Sequence, residues 1–195
     1  MKRTNKITFL IATALLSMAM TLRAQQINQI NGAITFGLGT VELDTASAGT
    51  ATAVTAWHGI GGIGNPIVLS SDGDFAAFAP PGSDVIFAAP WNFASGLVAS
   101  FWMAGGFTFN LTESHIFSQG GVPASVTVDG TGFITGNGFD PTFGVWSFST
   151  QDPSAGGLFS FSAAAMAVPE PTTVALLGLA LVGMGALRRT MRTAK

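Results

Sequence analysis

Short segments in which apolar and polar side chains alternate are the feature that most constrains how this chain can fold. They lie at residues 41–44, 107–112, 126–129, 146–149 and 159–162. Successive side chains of a β-strand point to opposite faces, so each segment predicts a strand with one buried and one solvent-facing side. No useful stretch between residues 25 and 167 has the 3.6-residue period of an amphipathic helix. We therefore expect an all-β fold.

Turn-forming residues separate the predicted strands. The clearest are Gly105-Gly106, Gly120-Gly121, Asp129-Gly130, Asn137-Gly138 and Gly156-Gly157. Asp-Gly and Asn-Gly pairs favour the two-residue turns of β-hairpins. Roughly eight to ten short strands at this spacing predict a single β-sandwich or jelly-roll-like domain. We assign it to residues 25–167, and the absence of a fixed repeat argues against a solenoid or propeller.

Basic side chains are confined to the two ends of the chain. The 8 Lys and Arg residues all lie at or before Arg23 or at or after Arg188, whereas the 10 Asp and Glu residues all lie between those positions. Nucleic acids and phosphate groups are bound through Lys and Arg, so the middle of the chain is not expected to bind them. The chain has no cysteine. Thiol catalysis, disulfides and cysteine-ligated metals are thereby excluded.

The N-terminal residues have the pattern of a secretory signal peptide. Lys2, Arg3 and Lys6 form a basic start, an apolar run extends from residue 7 to 20, and Ala24 offers a small residue for cleavage. The apolar run is shorter than the roughly 20 residues that a membrane-spanning helix needs. We therefore predict a signal peptide at residues 1–24 and export through the inner membrane.

The C-terminal residues 168–195 combine three features in a fixed order. A Pro-Glu-Pro motif at 169–171 precedes an apolar run at 172–187, and two arginines follow at 188–189. As a helix, the 16-residue run would measure roughly 24 Å, slightly less than the about 30 Å of a bilayer's hydrocarbon core. Arginines directly after an apolar segment mark a cytoplasmic end. The pattern predicts a short transmembrane helix over residues 172–187.

This three-part tail resembles the PEP-CTERM sorting signal of Gram-negative bacteria, also called the VPEP or ice-binding-protein C-terminal type. The resemblance implies that Pro169, Glu170, Pro171, Arg188 and Arg189 form the sorting motif. It implies an exosortase, an integral-membrane processing enzyme, as partner, and cleavage near the Pro-Glu-Pro motif after transient membrane contact through the helix. It further implies a bacterium that makes exopolysaccharide. The alternative is a C-terminal anchor that is never removed.

The aromatic and glycine-rich phrases between residues 91 and 148 are similar to those of uncharacterised β-rich passengers of this signal. That resemblance assigns no functional residue. Among the four tryptophans, Trp102 and Trp146 alternate with core-type residues, so we expect them to be buried. Trp57, beside a glycine-rich segment, and Trp91 are instead the candidates for exposed platforms on which a sugar could stack.

The segment Ser71-Asp72-Gly73-Asp74 places two carboxylates at alternate positions beside a glycine. Hard oxygen ligands of this kind suit Ca²⁺, so Asp72 and Asp74 form a possible metal site, with solvated turn acids as the simpler alternative. Glycoside hydrolysis needs two acids that face each other across a cleft, and for this pair a turn is the simpler account.

His58 and the segment Glu113-Ser114-His115 supply the ingredients of a Ser–His–acid triad. Such ingredients occur in any secreted domain with two histidines and many serines, and the chain lacks a Gly-x-Ser-x-Gly elbow. We therefore predict no catalytic residue, no enzymatic activity and no required cofactor.

The sequence as a whole predicts an exosortase-sorted protein of the cell surface or extracellular matrix. Its role would be structural or interactive, and exopolysaccharide is the expected partner. A lectin-like carbohydrate-binding module is the main alternative, followed by a Ca²⁺-dependent adhesin and a secreted hydrolase.

Overall fold

A computed structural model describes residues 28–152 and 158–166, together with residues 178, 180 and 181. The residues Asn28–Val168 form one compact unit. The predicted signal peptide, the Pro-Glu-Pro motif and most of the predicted apolar helix lie outside the described residues. Within the described part of the chain, no helix combines the length and apolar character needed to cross a bilayer.

The prediction of an all-β fold is confirmed. The described residues form these strands: β1 (Gly32–Gly37), β2 (Thr40–Leu43), β3 (Ala53–His58), β4 (Ile67–Ser71), β5 (Ile86–Phe87), β6 (Trp91–Asn92), β7 (Val98–Ala104), β8 (Phe107–Gly120), β9 (Ser125–Gly136), β10 (Phe139–Gln151) and β11 (Phe159–Ala165). A 3₁₀ turn spans Ile60–Gly62, and one helical turn, α1, spans Phe75–Phe78.

The strands divide unequally between two antiparallel sheets. The large sheet has eight strands in the order β4-β1-β11-β10-β9-β8-β7-β5, and the small sheet has three in the order β2-β3-β6. Strands β8, β9 and β10 follow one another as hairpins, which keeps neighbours in sequence adjacent in space. The alternating pattern predicted strands, but not this eight-to-three division.

The large sheet curls until its two edges meet. Next to β5, residues 82–85 exchange backbone hydrogen bonds with residues 66–68 beside and within β4. The Val85 amide donates to the Pro66 carbonyl at 2.8 Å, and the Val68 amide donates to the Ser83 carbonyl at 2.9 Å. These bonds satisfy edge groups that would otherwise be open to pairing with another chain.

Aromatic side chains from both sheets fill one shared core. Trp91 of β6 lies 5.5 Å from Trp146 of β10 and 4.9 Å from Phe101 of β7, measured between ring centroids. Phe36 of β1 lies 5.4 Å from Phe161 of β11. Edge-to-face and offset contacts of this kind each add about 0.5–1.5 kcal/mol beyond the burial of their area. The core therefore joins the small sheet to the large one.

Three of the predicted glycine-containing turns are confirmed, one is wrong, and Gly156-Gly157 lies outside the described residues. Gly120-Gly121, with both residues at positive φ, leads from β8 into the turn before β9. Gly105-Gly106 joins β7 to β8, and Asn137-Gly138 joins β9 to β10 with both residues at positive φ. Asp129-Gly130, predicted as a turn, lies in the middle of β9. A Cβ on Gly130 would lie only 2.6 Å from the Trp146 ring, so this glycine makes room for the indole in the core.

Asp44 closes the connection between β2 and β3. Its carboxylate accepts hydrogen bonds from the Thr52 hydroxyl at 2.6 Å and from the Thr52 and Ala53 amides at 2.9 and 3.2 Å. The Thr52 hydroxyl, followed by these amides, lowers the pKa of Asp44, and slight burial opposes this effect only in part. The folded protein thus favours the charged carboxylate.

We expect this connection to weaken in acid. Because the pKa is lower in the folded than in the unfolded chain, Asp44 stabilises the fold above the unfolded value of about 3.9, and this contribution is lost as the pH falls through the folded value. Asp44→Asn should lower the melting temperature at neutral pH and flatten its decline below about pH 4. Thermal melts across that range measure the effect, and parallel curves for the two proteins would contradict the assignment.

Candidate ligand-binding groove

Outward-facing side chains on five strands of the large sheet form an open groove, which we call the sheet groove. Two adjacent rows of residues, paired in register, line it. The first row, from β1 to β8, is Ala33, Ala164, Val145, Thr131 and Glu113; the second, from β11 to β8, is Ser162, Ser147, Asp129 and His115. The groove has a volume of about 610 Å³ and is open to solvent.

The groove follows from the size of the alternating side chains. On the inward face, positions such as Trp146 and Phe148 carry large rings that fill the core. On the outward face, most groove positions carry alanine, serine or threonine, which project little above the backbone. Small outward-facing residues next to longer side chains leave a depression in the surface. The serine and threonine hydroxyls at its floor are therefore within reach of a ligand.

Three ionisable side chains stand at the β8–β9 end of the groove. His115 is the direct cross-strand partner of Asp129, and Glu113 is that of Thr131. The Thr131 hydroxyl donates to Glu113 Oε1 at 3.3 Å. Glu113 and His115 are exposed and Asp129 is half-buried. This end can therefore accept hydrogen bonds from hydroxyl or amine groups without first breaking a buried network.

An aromatic pair, with one ring exposed and the other half-buried, borders the groove beside its first row of residues. Phe133 of β9 and Phe143 of β10 are direct register partners whose ring centroids lie 5.9 Å apart at 76°. Phe133 is 43% exposed. The Met166 amide, which donates to the Phe143 carbonyl at 2.8 Å, continues this border to the end of β11. Apolar rings beside hydroxyl and carboxylate groups are the usual mixture of a small-molecule or glycan site.

Sequence reasoning missed Phe133 and Phe143, although a signal for them was present. Phe133 is in phase with Thr131 and Asp129, and Phe143 is in phase with Val145 and Ser147, all of which face outward. Extending the alternation from the neighbouring residues would have placed both rings on the solvent side. The general tendency of phenylalanine to be buried argued against that placement.

The two tryptophans predicted to be exposed are core residues to different degrees. Trp91 is only 1% exposed, and its Nε1 donates to Ser95 Oγ at 3.2 Å. The expectation of an exposed Trp91 was therefore wrong, because the small sheet turns this ring into the shared core. Trp57 is half-buried, stacks on Phe87 at 4.2 Å and donates from Nε1 to the Ala88 carbonyl at 3.0 Å. The expected burial of Trp102 and Trp146 is confirmed.

The carboxylates of Asp72 and Asp74 accept backbone hydrogen bonds. Asp72 Oδ1 accepts from the Ala33 amide at 2.6 Å, and Asp74 Oδ2 accepts from the Asn31 amide at 2.8 Å. They thereby tie the segment before α1 to the start of β1. Among the described residues, no group of three or more His, Cys, Asp or Glu side chains could hold a metal ion. Calcium binding at this pair stays a prediction.

The structure separates the residues considered for a catalytic triad. Ser114 is buried and shares hydrogen bonds with Ser95, whereas its neighbour His115 is exposed in the groove, so the two do not face each other. Ser147 and His115 stand two strands apart, about 10 Å at the usual strand spacing and beyond hydrogen-bond reach. His58 Nε2 lies 3.0 Å from Glu42 Oε1 on the small sheet.

The residues predicted to direct sorting, namely Pro169, Glu170, Pro171, Arg188 and Arg189, lie outside the described residues. Residues 167–189 match the family of the PEP-CTERM protein-sorting motif. The chain thus carries this motif directly after the β domain. The motif implies export, processing by an exosortase-type membrane enzyme and a destination at the cell surface. No curated protein and no solved structure matches the chain.

Proposed function

We propose, on the premise that a PEP-CTERM sorting motif delivers this chain to the cell surface, that its β domain binds exopolysaccharide there through the sheet groove. The protein would act as a structural or interaction component of the surface or extracellular matrix, without catalysis. The observation that carries the proposal is the Phe133–Phe143 pair, which lies beside the groove's rows of hydroxyl and carboxylate groups.

The groove suits an extended polar chain better than a compact ligand. It crosses five strands, or about 19 Å at the usual spacing of strands, and it is open along its length. Sugar rings have apolar faces that can pack on Phe133 and Phe143, while their hydroxyls can bond Thr131, Ser147 and Asp129. Open access along the length lets a long polymer bind at an internal segment rather than at a chain end.

Charge favours a neutral or amine-bearing polysaccharide over an acidic one. Glu113 and Asp129 stand in the groove, and no Lys or Arg occurs between residues 24 and 187. An acidic polymer would meet like charge without a basic partner in this interval, which is unfavourable. A divalent cation could turn this repulsion into attraction by bridging the acidic polymer and the groove carboxylates. The binding test is therefore run with and without Ca²⁺.

We expect the double substitution Phe133→Ala with Phe143→Ala to weaken binding to the producing bacterium's own exopolysaccharide. Loss of two apolar platforms should raise the dissociation constant roughly tenfold, equivalent to about 1.4 kcal/mol. Affinity electrophoresis of the mature protein through gels containing the polysaccharide measures this, with and without Ca²⁺. Phe78→Ala is the matched control, because Phe78 is 45% exposed, close to the 43% of Phe133, and lies on α1 away from the groove.

Equal retardation of the double variant and the wild type would overturn the groove as the binding site. Retardation only in the presence of Ca²⁺, indifferent to the aromatic pair, would replace stacking by ionic bridging. If neither protein is retarded under any condition, exopolysaccharide is not the partner. Hydrolysis of the polysaccharide during the experiment would contradict the non-catalytic role.

A further inference from the structure

Five exposed aliphatic side chains gather at one end of the domain, which we call the aliphatic end. They are Leu38, Ile60, Ile63, Leu69 and Leu158. Ile63 is 81% exposed and Leu158 is 60% exposed. Contiguous exposed apolar side chains on a soluble domain usually mark an interaction surface.

The backbone around Leu38 brings these side chains together. A Cβ on Gly37 would lie 2.8 Å from Leu69 Cδ1, and a Cβ on Gly39 would collide with the His58 carbonyl that precedes the Ile60–Ile63 loop. Thr40 pairs with Leu158, and the Phe159 amide donates to the Gly39 carbonyl at 3.4 Å. The Gly59 amide closes the loop by donating to the Gly64 carbonyl at 2.8 Å.

This end carries little charge, in contrast to the rest of the domain. The segments that form it, residues 37–41, 59–69 and 158–160, contain no charged residue, whereas nine acids lie between residues 28 and 166. The nearest acid on the small sheet, Glu42, pairs with His58, and Asp84 lies opposite Ile67 at the start of β4. No Lys or Arg lies in this interval to attract an anionic lipid surface.

The aliphatic end also lies away from the point where the chain leaves toward the sorting motif. Strands β1 and β11 are antiparallel, with Gly32 opposite Ala165 and Phe36 opposite Phe161. Met166 and Asn28 therefore stand at one end of these strands, and Leu38 and Leu158 at the other. The separation is about 20 Å for strands of this length.

We propose that the aliphatic end is a self-association surface and that its occupant is a second copy of this chain. Two acidic domains repel each other in most orientations, and they do so least where their acid-poor surfaces meet. A two-fold contact between identical aliphatic ends joins apolar surface to apolar surface and keeps most acids outward. A glycan is a poor occupant, because these branched aliphatic side chains present neither flat rings nor a row of hydroxyls.

Self-association would give each assembly two sheet grooves. If the grooves bind polysaccharide as proposed above, the dimer holds two chain segments at once and gains avidity from their linkage. This consequence rests on the proposed function, whereas the self-association itself does not. The two are therefore tested by different measurements.

Sedimentation velocity of the mature protein, without polysaccharide, tests the proposal. We expect a concentration-dependent dimer that strengthens as NaCl is raised, because salt screens the repulsion between acids. Ile63→Asp and, separately, Leu158→Asp should each weaken dimerisation at least about tenfold, since each change occurs twice in a two-fold contact. Leu97→Asp is the matched control: Leu97 is 85% exposed, precedes β7 outside the aliphatic end, and the change adds the same charge.

A monomer at every concentration and salt level would overturn the proposal. So would a dimer that withstands both substitutions, or one that Leu97→Asp weakens equally. Flotation of the monomeric wild type with phosphatidylcholine vesicles, lost in Ile63→Asp, would reassign the surface to lipid. Unchanged dimerisation of the Phe133→Ala with Phe143→Ala variant would show that the dimer contact does not involve the sheet groove.

Discussion

Glu170→Ala is expected to abolish delivery of the protein to the cell surface. Glu170 is the central residue of the Pro-Glu-Pro motif within the matched residues 167–189. The substitution removes the single carboxylate between the two prolines that a processing enzyme would recognise. Residues 167–189 contain no other acid that could replace it. We expect the surface and extracellular fractions to lose nearly all of the protein, and the unprocessed chain to accumulate with the membrane fraction.

Immunoblots of fractionated cells of the native bacterium, with antibodies raised against the β domain, measure this effect. Thr172→Ala is the control, because it lies in the matched residues but leaves the motif intact. Deletion of the exosortase gene should reproduce the Glu170→Ala pattern. Normal extracellular release of Glu170→Ala would show that the motif does not direct this protein.

Trp91→Ala is expected to destabilise the β domain by about 3–5 kcal/mol, the usual cost of removing a fully buried large aromatic side chain. Trp91 contacts Phe93, Phe101, Trp146 and Phe148 with centroid distances between 4.9 and 5.5 Å. It is also the ring through which short strand β6 anchors the small sheet in the core. A loss of this size is a large part of the about 5–15 kcal/mol that stabilises an ordinary domain.

Urea unfolding followed by tryptophan fluorescence measures this loss. Phe117→Ala, at a position that is mostly exposed, should change the free energy of unfolding by less than about 0.5 kcal/mol. Measuring both unfolding and polysaccharide binding of Trp91→Ala distinguishes a core residue from a ligand-binding residue. If Trp91→Ala kept its stability and lost only polysaccharide binding, the ring would belong to a ligand site and its burial in the core would be contradicted.

The sequence was most informative where one physical rule acted alone. Alternation identified strands around Phe107–Leu111 and Trp146–Phe148, and paired glycines identified the β7–β8 turn. It failed at Asp129-Gly130, where the local preference for a turn is overridden by the need to fit the Trp146 indole. Such a long-range packing requirement has no trace in the residues beside Gly130.

The candidate site was harder to predict than the fold. The groove brings together residues of β1, β8, β9, β10 and β11, which lie up to 131 positions apart in the sequence, between Ala33 and Ala164. Only the strand order makes them neighbours, and alternation does not determine strand order. Tryptophans were the first candidates because they are the usual sugar platforms, but Trp91 is buried, and the rings beside the groove are the exposed Phe133 and the half-buried Phe143.

The proposal that this sorted protein holds polysaccharide in its sheet groove is tested most directly by NMR of the isotope-labelled mature protein, titrated with fragments of the producing bacterium's exopolysaccharide. We expect the amide shifts to change mainly on β9 and β10, from Asp129 to Phe133 and from Phe143 to Ser147. Residues of the aliphatic end should stay unchanged. Shifts confined to the Trp57 region or to Asp72 and Asp74, or no shifts at saturating fragment, would contradict it.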